Sequence, residues 1–213
     1  MPRMHLPWPV ARNGYRIAPA KPARGPAVGT IIGGFAAATD WIVRNGSEVD
    51  HRDCLAIDGL YRRLADHEPN QDGALAFANR YGLLSNRERE AVQTFTDNIR
   101  IVRSLVAAAE AEDWTAIHRW LGENRKAIRF QPDLKLNGRP QFFFRPARLI
   151  DAIYAQFLED VAGGIGTMRL CARPGCGNWF KFGPGTNHRE TARYCSPKCQ
   201  GAHAYAKRKE ASI

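Results

Sequence analysis

Cys171-Ala-Arg-Pro-Gly-Cys176 and, eighteen residues further on, Cys195-Ser-Pro-Lys-Cys199 hold four of the five cysteines of this 213-residue chain, in the pattern C-x4-C-x18-C-x3-C. Two close pairs brought together by an intervening hairpin suit a tetrahedral ion, which needs four soft ligands about 2.3 Å from one point. Pro174-Gly175 lets the backbone turn between the first two thiols. The three-residue gap in the second pair sets Cys195 and Cys199 one turn apart on a helix continuing through Gln200 to Lys209. Between the pairs, Asn178 to Phe182 and Glu190 to Tyr194 read as strands of a hairpin joined across Gly183-Pro184-Gly185.

A knuckle, a hairpin and a helix carrying the second ligand pair describe a treble-clef-like zinc module over residues 166–213. Four thiolates leave no open coordination position, so Cys171, Cys176, Cys195 and Cys199 are expected to hold one structural zinc ion. Two disulfides or four unligated thiols are the alternatives, and His188 and His203 are rival ligands. A reducing cytosol favours the metal. Cys54 stands apart on an apolar face and reads as a small core residue.

Upstream, the expected fold is mainly α with one small β-hairpin. Residues 1–30 contain six Pro and three Gly and read as an extended or flexible basic leader. Residues 31–165 read as a helical domain. Cys54, Ile57, Tyr61 and Leu64 suggest a helix from about Glu48, and a second covers Gly73 to Tyr81 with Gly82 as its stop. Ser85 and Glu88 form a capping box before the stripe Val92, Phe95, Ile99, Val102 and Val106, ending near Glu110. Asp113 caps a helix burying Trp114, Ile117 and Leu121, with Gly122 at its end. Asn137-Gly138 joins Leu134–Leu136 to Gln141–Phe144 as a hairpin, and Leu149 to Val161 forms a broad apolar helix closed by glycines.

Leu170-Cys171, Cys176-Gly-Asn-Trp-Phe180, Arg193-Tyr-Cys195-Ser-Pro-Lys-Cys199 and the basic tail resemble the CGNR-type zinc finger of prokaryotic transcription regulators, over about residues 166 to 209. The body, with Ala78-Asn-Arg-Tyr-Gly-Leu83, resembles the ABATE domain that precedes that finger. The resemblance implies a stress-induced transcriptional regulator whose finger binds DNA and whose N-terminal domain senses a small-molecule ligand. One departure is plain. The family has Cys-Gly-Asn-Arg at its fourth ligand, whereas Cys199 is followed here by Gln200-Gly201-Ala202, and the Gly-Asn pair follows Cys176.

Charge points to the same partner. The chain carries +10 overall, with five Lys+Arg and no acid in residues 1–30, and nine Lys+Arg against two Glu in residues 168–213. The body between is mildly acidic. Arg189, Arg193, Lys198, Lys207, Arg208 and Lys209 are the candidate DNA contacts, reaching phosphates first. Asn187, Gln200 and Tyr205 have the chemistry to touch base edges, and the leader is either a minor-groove arm or a tail. A protein-binding adaptor with a purely structural zinc module, or an RNA binder, are the rival readings. Nucleotide-loop, zinc-protease and nucleophile-elbow motifs are absent and the six His are scattered, so no enzyme is expected. Trp41, Tyr61, Trp114, Trp120 and Phe142 to Phe144 are open to two roles, core packing or a pocket wall. No apolar run reaches the roughly 18 residues of a membrane span, and the Met1 to Val10 stretch has no signal-peptide core, which places the protein in the cytoplasm. No heptad or other dimer signal is present.

Overall fold

The computed structural model describes residues 7–19, 40–54, 57–85, 87–124, 128–135, 141–163, 168–184 and 186–210. The body is built round α3 (Val92–Glu110), whose stripe Phe95, Ile99, Val102 and Leu105 is buried as its helical spacing requires. α1 (Leu60–Ala65), α2 (Gln71–Tyr81) and α4 (Trp114–Asn124) pack against it, and α5 (Leu149–Ala162) closes the core with Leu149, Ile153 and Phe157. Aromatic edges tie the layers, with Tyr61 on Phe157 at 5.6 Å and Phe77 on Phe95 at 5.9 Å. Gln156 of α5 accepts from Leu60 N at 3.0 Å and donates to Ile57 O at 3.0 Å, which fixes the start of α1.

The helix ends follow local chemistry. Asn70 Oδ1 accepts from Gly73 N at 2.9 Å to start α2, and Asp113 Oδ1 accepts from Ala116 N at 3.0 Å to start α4. Gly82 ends α2 at φ 93, with Pro9 O only 2.7 Å from where a Cβ would sit. Only glycine fits that conformation and that approach.

Among the described residues the architecture is mixed α/β rather than mainly α: six helices accompany four small antiparallel sheets. β1 (Pro7–Ala11) pairs with β4 (Val49–Asp53), while β2 (Tyr15–Ala18), β3 (Trp41–Arg44) and β5 (Arg89–Ala91) form a three-stranded sheet. β6 (Phe130–Lys135) and β7 (Gln141–Pro146) form the hairpin expected from the sequence, its Asn137-Gly138 turn lying outside the described residues.

Several expectations are corrected. Residues 7–18 are two strands of the body rather than a leader, because Trp8 and Tyr15 bring apolar surface worth burying. Trp8 Nε1 donates to Leu83 O at 2.9 Å and Asn79 Oδ1 accepts from Tyr15 N at 2.7 Å. Arg12 pairs with Glu48 and Asp50, so this cation of the leader is committed within the body. The helix expected from Glu48 begins only at Leu60, the preceding stretch being strand. The Ser85–Glu88 capping box does not form. α3 starts after Ala91 with no side-chain cap, since Arg89–Ala91 is drawn into the sheet on β3. Trp114 is 45% exposed rather than buried, and α4 runs past Gly122 to Asn124. The other leader residues and Gly164–Gly166 lie outside the described residues.

Candidate metal centre and basic surface

β8 (Met168–Leu170) and β9 (Trp179–Lys181) pair antiparallel, Arg169 opposite Phe180, and the turn between them carries the first two cysteines. Cys171 N donates to Asn178 O at 2.8 Å and Cys176 N to Arg173 O at 3.1 Å, with Gly175 at φ 73 supplying the left-handed step. The hairpin partner therefore differs from the expected one, since β9 pairs backward to β8. The Glu190–Tyr194 stretch is not a strand. It is held instead by the Arg169 guanidinium, which donates to Glu190 O at 3.1 Å and Ala192 O at 2.6 Å. Ala172 N completes the link by donating to Arg193 O at 2.9 Å.

That link carries Cys195 over the first pair, and α6 (Pro197–Glu210) then returns Cys199 to the same point. Cys195 lies just before α6 rather than within it. Ser196 Oγ accepts from Cys199 N at 3.3 Å at the helix start. The four sulfurs converge within 4.8 Å of one another. Cys176 lies 3.7 Å from Cys195 and 3.6 Å from Cys199, and Cys195 lies 3.6 Å from Cys199. Thiolates tetrahedral about an ion at 2.3 Å stand about 3.8 Å apart, which the separations among Cys176, Cys195 and Cys199 match, with Cys171 within 4.8 Å of them. All five cysteines are free thiols, which removes the two-disulfide alternative. Four cysteines this close could hold a metal ion.

The electrostatics make the same demand. Burial pushes the Cys195 thiol up to about 12 and raises Cys176, while the Ser196 hydroxyl brings Cys199 down to about 7. One thiolate forms readily near neutral pH. Further negative charge in so small a volume requires a cation. Donor set, spacing and charge therefore all fit a soft divalent ion.

His188 and His203 do not join the cluster. The first stacks on Phe180 at 4.8 Å, the second on Tyr194 at 5.6 Å. Cys54 is fully buried in the body, far from the site in the contact network, and burial raises its thiol to about 12. Asn178, which the sequence marks as a strand terminus and as part of the Gly-Asn pair after Cys176, donates through Nδ2 to Cys195 Sγ at 3.8 Å and accepts from Arg63 Nη1 of α1 at 2.8 Å. No spacing rule points to it, because its partner lies 115 residues away.

The module is docked on the body. Trp179 Nε1 donates to Asp66 Oδ2 at 2.8 Å, Lys181 pairs with Asp160 at 2.6 Å, and the Arg62 guanidinium lies 4.6 Å from the Trp179 ring centroid. Gly59, at φ 63, permits the approach, since a Cβ there would stand 2.9 Å from Trp179 Cβ.

The six candidate cations are all exposed, but they do not share one face. Arg189 and Arg193 line a cleft of about 540 Å³ with Asn187, Ser196 and Gln200. Lys207 continues that side two turns beyond Gln200, whereas Lys198 and Lys209 lie on the other flank of α6 and Arg208 lies opposite Cys199. Tyr205 is 68% exposed. No described helix is long and apolar enough to cross a membrane. The chain matches no protein-family model, and no curated protein matches it.

Proposed function

We propose that the chain is a cytoplasmic, non-enzymatic DNA-binding regulator. In this reading one structural zinc ion on Cys171, Cys176, Cys195 and Cys199 braces a treble-clef-like module that presents cations to phosphates. The CGNR-like and ABATE-like stretches of the sequence support the regulatory reading, with the body as its ligand-sensing half. The observation that carries the metal is the convergence of four sulfurs within 4.8 Å, three of them 3.6 to 3.7 Å apart. It also favours DNA over a loose basic tail, because cations on a rigid scaffold lose little entropy on binding. The Arg189–Arg193 cleft of about 540 Å³ beside the start of α6 supplies a concavity with two cations, and Lys207 extends that side along the helix. Once bound, four thiolates and a divalent ion leave the module with about +5 of the +7 its residues 168–213 carry.

Fluorescence anisotropy of the zinc-loaded full chain with random-sequence duplex DNA at several salt concentrations tests this. Phosphate contact makes log K fall against log[salt] with a slope of about 0.9 per contact. The Lys207→Ala/Arg208→Ala/Lys209→Ala variant should bind more weakly and with a shallower slope. Absence of binding at low salt overturns the proposal in favour of a protein-binding adaptor. A strong preference for single-stranded RNA overturns it in favour of an RNA binder.

A further inference from the structure

The body holds a second concave site, distant in sequence from the cysteines. It is a cavity of about 630 Å³ between β3 and β5, α3, α4 and the start of α5. That size is typical of small-molecule pockets, which run from about 300 to 1,000 Å³. Its apolar wall contains Trp41, Trp120 and Tyr154. Trp120 and Tyr154 meet at 4.8 Å between ring centroids, and Asn98 Oδ1 steadies the pair by accepting from the Tyr154 hydroxyl at 3.1 Å. Trp41 and Trp120 each keep part of their surface exposed, while Trp120 also packs against the core. Large aromatic faces left open inside a concavity are available for stacking.

The charge of the same cavity is opposite to that of the mildly acidic body around it. Arg87, Arg89, Arg129 and Arg148 line it, against the single carboxylate of Glu90. Two of these charges are already engaged. Glu90 Oε2 accepts from Leu84 N at 2.8 Å and from Ser85 N at 3.2 Å, and Arg148 is held by Asp151 at 2.7 Å. Arg89 is set over the face of the Trp41 ring at 4.7 Å, which orients its guanidinium within the cavity wall. No carboxylate pairs with Arg87, Arg89 or Arg129 among the described residues. A positive rim over an aromatic wall recognises a flat molecule bearing a negative group.

We propose that this cavity binds a small planar aromatic acid, its ring against Trp120 and its carboxylate at the Arg89–Arg129 rim. The site deepens the ligand-sensing half of the proposed function and rests on that reading only for its regulatory meaning. Binding itself is measured without DNA. A failure here therefore leaves the zinc and DNA reading untouched, and a failure to bind DNA leaves this site standing.

The test is isothermal titration of the zinc-loaded full chain with 2-naphthoate, the neutral 2-naphthamide and acetate as probes. 2-Naphthoate should bind with one-to-one stoichiometry, and both controls about tenfold or more weaker, since the first lacks the charge and the second the ring. Arg129→Gln and Arg89→Gln should each weaken 2-naphthoate about tenfold, and Arg119→Gln, on α4 outside the cavity, should leave it unchanged. Trp120→Phe retains a ring and should weaken all aromatic probes together, which provides a second variant should a rim substitution disturb folding. Equal affinity for acid and amide, equal affinity for acetate, or no heat with 2-naphthoate overturns the proposal.

Discussion

Cys199 Sγ lies 3.6 Å from two other sulfurs, and its backbone N–H is held by Ser196, so it is the ligand the helix start positions most firmly. Replacing it by the harder serine oxygen leaves three thiolates on a soft ion. Cys199→Ser should therefore lower zinc content in a colorimetric release assay, whereas Cys54→Ser, at a fully buried site of the body, should leave it unchanged. Full zinc retention in Cys199→Ser removes the assignment. Glu90 makes a different point. Burial lifts its carboxyl from 4.5 to about 7, with Arg148 near it and the Leu84 and Ser85 amides on one oxygen. The folded state thus keeps a proton that the unfolded chain releases above 4.5. The stability this group allows is complete below 4.5 and is lost as pH rises through about 7. The loss amounts to about 3 kcal/mol. Glu90→Gln keeps an oxygen acceptor for both amides. Urea melts should show the variant gaining on the native protein as pH goes from 4 to 8, and a constant difference across that range would falsify the burial argument.

At the scale of elements, legibility tracks how local the cause is. α2, α3 and α5 are legible because a 3.6-residue apolar stripe lies within the segment itself, with a glycine stop at Gly82 for α2 and Gly163 for α5. The cysteine pairs were equally plain, since ligand chemistry and spacing are both written in sequence. Strands β1 to β5 were not. Each is three to five residues long, and its partner lies far away, as when Trp41 pairs with Ala91. Proline in Pro7–Ala11 argued for a leader, yet a two-stranded edge ladder tolerates it. Ser85 and Glu88 satisfied a capping rule, but strand pairing to β3 took the following residues first. The hairpin of the metal module was assigned the wrong partner for the same reason: Arg169, a side chain, does the work expected of a backbone ladder. Trp41 and Trp120 carried a pocket signal in their residue type alone, and only the tertiary fold separates them from the buried Tyr61.

For the whole molecule, the decisive asymmetry is between two cores. Among the described residues the body buries more than two dozen apolar side chains in one cluster, whereas the metal module's own cluster buries only Phe180 beside Cys171 and Cys199, its Met168 lying against Gly59 of the body. So small a core does not offset the chain entropy of its own segment, and an ion on the four cysteines would supply the difference. The module nonetheless grips α1 and α5 through Asn178 on Arg63, Trp179 on Asp66 and Lys181 on Asp160. Removing the ion should then be felt on the body as well as in the module. Chelation is expected to unfold residues 168–210 and strip Arg62 and Arg63 of their partners in the module, Trp179 and Asn178, while the core round α3 stays folded. Hydrogen exchange with and without chelator reads this directly. Protection should vanish in α6 and β9, fall in α1, and persist in the Phe95–Leu105 stretch of α3. Unchanged protection in α1 would separate the two parts and make the docking contacts incidental. Loss throughout α3 would make the ion part of the body's own stability. A graded loss running from α6 through β9 to α1 is what the contacts require.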